Sequence, residues 1–189
     1  MHPPPVRRRK LLQGLLGLSL PPWLGARAMA QGIELPVLRP VRRDGELVLE
    51  YDVRIQLSRA VEEALGRGVP VHFAARADVY RDRWYWRDER IVRATRSWRL
   101  AYQPLTASWR VGLVGGLNQS FATLEEAMLA ITRSTQWRLV DLSQLDPDGR
   151  HYVEFSFRLD DSQLPGPMQI GLGGTAGWSL AVERSVRVE

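Results

Sequence analysis

Nucleophilic, acid–base and metal chemistry each need particular side chains held close together, and this sequence offers few of them. Its 189 residues include no cysteine, which excludes a thiolate nucleophile, a thiolate metal site and a disulfide. Beyond residue 30 the only histidines are His72 and His151. Neither has carboxylates at ligand spacing, and a metal site needs three or four convergent ligands. Both read as exposed strand histidines, so no metal is expected. Asp160-Asp161 and Asp146 with Asp148 are paired carboxylates of the kind that divide acid and base roles in glycoside cleavage. A turn explains Asp146 and Asp148 better, and Asp160 ends a strand. No serine lies in a Gly-x-Ser-x-Gly context. Gly115-Gly116-Leu117-Asn118-Gln119 reads as a loop, because the strand–glycine loop–helix spacing of a phosphate cradle is missing. The expectation is a non-enzyme without a cofactor.

The densest unusual run is Arg81-Asp82-Arg83-Trp84-Tyr85-Trp86-Arg87-Asp88-Glu89-Arg90. As a strand it places Trp84 and Trp86 on one face and Tyr85 on the other. Trp84, Tyr85 and Trp86, framed by Arg83 and Arg87, then form an aromatic platform suited to a glycan, a peptide strand or another protein. The competing reading, which the pattern favours, has both tryptophans closing the core while the charges are solvated at the turn.

The elements that position these residues are mostly strands. From Glu46 to Leu57 the chain alternates, with Leu47, Leu49, Tyr51, Val53, Ile55 and Leu57 on one face. Asp44-Gly45 precedes it as a tight turn, and Ile33, Leu35 and Val37 form an edge strand bounded by Pro36 and Pro40. Ser58 caps a helix over Arg59–Arg67, which Gly68 stops. Val69 to Val79 alternates again, Asp88-Glu89 reads as a hairpin turn, and Val92, Ala94, Trp98, Leu100 and Tyr102 form the returning arm. Arg96 interrupts that apolar face. Trp109, Val111 and Leu113 continue an antiparallel meander. Thr123 with Glu126 makes a capping box for a helix running to about Ser134. Strands follow over Trp137–Leu142, Tyr152–Leu159 and Trp178–Val188, with Met168–Leu172 a short further candidate. Asp146-Pro147-Asp148-Gly149 is a strong turn. The fold class is mainly β (α+β), an antiparallel sandwich or partly open barrel of about nine strands with two short helices.

Residues 1–30 carry a different pattern. Arg7, Arg8, Arg9 and Lys10 precede an apolar run from Leu11 to Leu20, then Pro21-Pro22 and the small-residue site Ala28-Met29-Ala30. That order is a signal peptide cleaved after Ala30, leaving one domain over residues 31–189. The apolar run is half the roughly 20 residues a membrane span needs, so no stable anchor is expected after cleavage. The partial match to a twin-arginine signal leaves that route and general secretion both open. Five of the 26 basic side chains and no acid lie in residues 1–30, leaving 21 against 21 in the remainder. A neutral domain lacks the basic surplus that displaces counterions from nucleic acid, so a nucleic-acid partner is not expected. A chain of that length buries about 70% of its unfolded surface without a disulfide.

Ordered motifs then carry a family resemblance. They are Ala64-Leu65, Gly68-Val69-Pro70-Val71, Arg83-Trp84-Tyr85-Trp86, Arg99-Leu100 with Tyr102 and Leu105, Phe121-Ala122-Thr123-Leu124 with Glu126-Ala127, and Arg158-Leu159-Asp160 with Leu164-Pro165 and Pro167-Met168-Gln169. Together they resemble the proteobacterial domain-of-unknown-function family DUF4390 over essentially all of residues 31–189. The resemblance implies a short exported protein encoded beside a membrane sensor kinase, and it supplies no catalytic residues. The resulting expectation is a periplasmic, non-enzymatic interaction module whose partner is an envelope protein or the periplasmic domain of a sensor kinase. The alternative is a small-ligand or glycan carrier using a pocket of the β-structure.

Overall fold

The computed structural model describes residues 32–85, 87–160, 162 and 180–189. The expected signal segment with Ala28 and Ala30, Trp86, Asp161 and the candidate strand Met168–Leu172 lie outside the described residues.

Nine strands and two α-helices occur among the described residues, in the order β1 (Ile33–Arg43), β2 (Glu46–Ile55), α1 (Arg59–Gly66), β3 (Val71–Arg81), β4 (Glu89–Gln103), β5 (Ser108–Leu113), β6 (Asn118–Phe121), α2 (Leu124–Thr132), β7 (Arg133–Asp141), β8 (His151–Asp160) and β9 (Ala181–Arg187). They form a three-stranded sheet, β1-β2-β7, and a six-stranded sheet, β6-β5-β4-β3-β8-β9, with every pairing antiparallel. Neither sheet closes on itself, so of the two expected architectures this is the sandwich.

Local signals account for most boundaries. Asp44 (φ 51°) and Gly45 (φ 78°) both adopt the left-handed backbone that a two-residue hairpin between β1 and β2 requires. β1 runs through Pro36 and Pro40, which the sequence placed as boundaries. As an edge strand it has one side on which no N–H is needed, and its register shifts between Glu34 and Val37, around Pro36. Ser58 Oγ accepts from the Val61 N–H at the start of α1, and the capping box of Thr123 and Glu126 opens α2.

Two further boundaries differ from the sequence expectation. α2 stops at Thr132 rather than near Ser134, because Arg133 is already extended, pairs in register with Asp52 of β2 and bonds its carboxylate at 2.7 Å. The predicted loop at Asn118-Gln119 is instead the start of β6, paired to β5. The expected meander over β3, β4 and β5 is present and extends to β6. β7 crosses to pair with β2, and β8 returns beside β3.

The core lies between the sheets. Leu47, Leu49, Tyr51 and Val53 of β2 face Phe73 of β3 and Phe155 and Phe157 of β8, all buried. The Tyr51 ring sits 5.1 Å from Phe155 and 5.9 Å from Trp137, while Phe157 reaches Phe73 and Trp98 at 6.1 Å each. Contacts at these separations join the two sheets through one aromatic cluster. The outer face of the large sheet is charged; there Asp78, only 2% exposed, is bracketed by Arg93 at 2.7 Å and Arg76 at 3.4 Å. A carboxylate this deep is costly to bury without such partners.

Candidate functional site

The run singled out by its aromatic and basic residues forms the turn joining β3 to β4. β3 ends at Arg81 and β4 begins at Glu89, so strand alternation does not govern the faces of the described residues between them. The turn lies at Trp84-Tyr85, not at Asp88-Glu89, because Glu89 already pairs with Arg81 as the first residue of β4. Trp84 is 86% exposed and Tyr85 69% exposed, so Trp84 does not close the core. The two rings meet edge to face at 5.3 Å, leaving most of both for a partner.

The base of the turn is held by polar contacts. Arg81 donates to Glu89 at 2.5 Å and to Asp146 at 3.2 Å, and Arg83 also bonds Glu89. Asp88 accepts from the Arg83 N–H at 3.1 Å and from the Tyr152 hydroxyl at 2.7 Å. Tyr152 in turn stacks on Tyr80 with centroids 5.2 Å apart. The Asp82 N–H reaches the Arg150 carbonyl at 2.8 Å, tying the turn to the loop before β8. The Arg81 hydrogen bond holds the Glu89 carboxyl below its ordinary range, and the Tyr152 hydroxyl does the same for Asp88. Burial, then the bond to Asp88, pushes the Tyr152 hydroxyl upwards. Arg83 therefore belongs to the base of the turn, whereas Arg87 is exposed near its tip. Of the expected platform, the described residues Trp84 and Tyr85 stand exposed on a pinned stem.

The remaining sequence candidates fall elsewhere. His151 is buried rather than exposed, and among the described residues neither of its ring nitrogens finds a hydrogen-bond partner. His72, half-buried on the outer face, sits between Arg99 of β4 and Asp160 of β8 in the strand register. Burial, then Arg99, holds its pKa down, and Asp160 opposes them. Asp160 itself accepts from Ser162 Oγ at 2.6 Å. Asp146 and Asp148 are part of the expected turn, where Asp146 Oδ1 accepts from the Asp148 N–H at 3.1 Å. Among the described residues no three His, Asp or Glu side chains converge.

The aromatic cluster packs between the sheets, and among the described residues two clefts open at the edges of β2 and beside α2. A cleft of about 610 Å³ runs between the end of β2 and the two helices, floored by Ile55, Leu57, Leu124 and Met128. A second, of about 300 Å³, opens beside α2 over Tyr51, Arg96 and Trp98. Arg96 is the functional candidate that sequence reasoning left unassigned. Its signal was the break it makes in the apolar face of β4; across the sheet it stands opposite Ala75 of β3.

Among the described residues no helix is long and apolar enough to cross a membrane. No curated protein and no solved structure matches the chain. The model of the family "Domain of unknown function (DUF4390)" matches residues 30–187 of the 189, well over half of the chain, and the protein belongs to that family.

Proposed function

We propose that this protein is an exported, non-enzymatic interaction module that contacts its partner through the β3–β4 turn. The observation that carries the reading is the pair Trp84 and Tyr85, 86% and 69% exposed on an ion-paired stem. Exposed aromatics on a rigid support make strong contacts, because they bury much apolar area while losing little rotamer freedom. The signal-like pattern of residues 1–30 supports a periplasmic working domain, and in this reading the partner is an envelope protein or the periplasmic domain of a membrane sensor kinase.

A photo-crosslinker at position 85 in cells tests the contact. The expected result is one discrete crosslinked envelope species that disappears in the Trp84→Ala variant. Crosslinking that is absent, or unchanged by that variant, refutes the role of the turn. Fractionation tests the location: a periplasmic product shortened by residues 1–30, and retention of the full chain when Ala28 and Ala30 are both replaced by Arg, are the outcomes expected.

The two edge clefts favour a second reading, a carrier of small ligands. It does not compete with the first for residues, since the clefts and the turn share none.

A further inference from the structure

Arg96 lies on the inner face of β4, opposite Ala75 of β3, and lines the cleft beside α2. Along the inner face of β4 its neighbours are Ala94, Trp98 and Leu100, all apolar. Its guanidinium is partly buried and meets neutral groups: it donates to Ser134 Oγ at 3.2 Å and lies 5.0 Å from the centre of the Trp137 ring. The Tyr51 hydroxyl beside it gives its own hydrogen to the Ile131 carbonyl at 3.3 Å. Among the described residues no carboxylate pairs with Arg96, whereas buried Asp78 has two arginines.

An arginine stays charged even where burial opposes it. Withdrawing a cation from water without an anionic partner is costly, and an apolar side chain would fill the same space at less cost. Of the five N–H donors of a guanidinium, one is used on Ser134 and another faces the Tyr51 hydroxyl, which leaves donors to spare. Above them opens the cleft of about 300 Å³, walled by Trp98, Val111, Leu113 and Leu117. The second arginine at its rim, Arg133, is already paired with Asp52 at 2.7 Å.

We infer that this cleft binds a small carboxylate with a short apolar tail, Arg96 being the counter-ion. The inference rests on the carrier reading and assigns its ligand class. A planar carboxylate accepts two parallel hydrogen bonds from the guanidinium fork. The tail lies along Val111 and Leu113. Allowing roughly 30 Å³ for each water-sized group, the cleft holds about ten non-hydrogen atoms, the size of octanoate.

The test compares octanoate with 1-octanol, its uncharged counterpart, on the purified protein by calorimetry and by amide chemical-shift mapping. Octanoate is expected to bind about tenfold or more tightly than octanol, as a charge-assisted pair requires, with shifts centred on Arg96, Trp98, Leu113 and Leu117. Arg96→Gln is expected to abolish that advantage and leave octanol binding unchanged. Equal binding of the two probes at these residues overturns the carboxylate assignment and leaves the carrier reading standing. Saturable binding of neither probe overturns both at this cleft. Those two results come from the wild-type protein, so they hold even if Arg96→Gln fails to fold.

Discussion

Trp84 and Trp98 stand 14 residues apart on one hairpin, and the structure assigns them opposite energetic roles. Trp84 is 86% exposed, so only about one seventh of its surface is covered, while Trp98 is 5% exposed and lies within the aromatic cluster. A fully buried tryptophan hides roughly 150–250 Å²; one seventh of that, at about 25 cal/mol per Å², is worth about 0.5–1 kcal/mol. Removing Trp98 leaves a cavity and costs about 3–5 kcal/mol. In a domain of this size each kcal/mol moves the melting temperature by about 2–4 °C. Trp84→Ala is therefore expected to melt within about 4 °C of wild type and Trp98→Ala at least 6 °C below it, in paired calorimetric and urea scans. The same Trp84→Ala protein is expected to lose its envelope crosslink. A loss of about 3 kcal/mol or more from Trp84→Ala, matching a buried tryptophan, would refute the argument, because the turn would then be part of the packing.

Three further predictions concern the supports of that site and of the core. Burial, then the positive charges of Arg42 and Arg81, holds the His151 pKa below its usual value despite Gly149 and Asp146. Its stabilising contribution is complete above the unfolded value near 6.5 and declines as pH falls from there towards the folded pKa. His151→Leu is expected to flatten the melting temperature between about pH 7 and pH 5; an unchanged profile excludes this histidine as the source. Glu89→Gln removes the negative charge shared by Arg81 and Arg83, and faster hydrogen exchange at Arg83, Trp84 and Tyr85 with little change in global melting is the expected outcome. Thr123→Ala breaks the capping box of α2 and is expected to cost about 1 kcal/mol in urea titration, with no measurable loss arguing that the helix is held by packing alone.

Elements whose cause is local are legible in the sequence. The Asp44-Gly45 hairpin, the Ser58 cap and the Thr123–Glu126 capping box each depend on side chains within a few residues of one another, and all three occur. Alternation over Glu46–Ile55 likewise needs no partner to show which face is buried. The end of α2 is not legible, because the pairing of Arg133 with Asp52 joins positions 81 residues apart. The exposure of Trp84 is not legible for a related reason. A tryptophan beside arginines has the same pattern whether it closes a core or tips a turn; the choice comes from Glu89 and Asp146 gripping Arg81.

By itself the sequence determined the antiparallel, mainly β class, most of its strands and caps, and the absence of a thiol site, since these follow from periodicity, local hydrogen bonding and composition. It also marked Arg96 as out of place on an apolar strand face. Only the tertiary structure decided which sheet each strand joined, that Trp84 faces water while Trp98 does not, and that Arg96 lies at a cleft mouth beside neutral groups. Those outcomes depend on which distant strands come to lie over a side chain, and burial arises only from that covering.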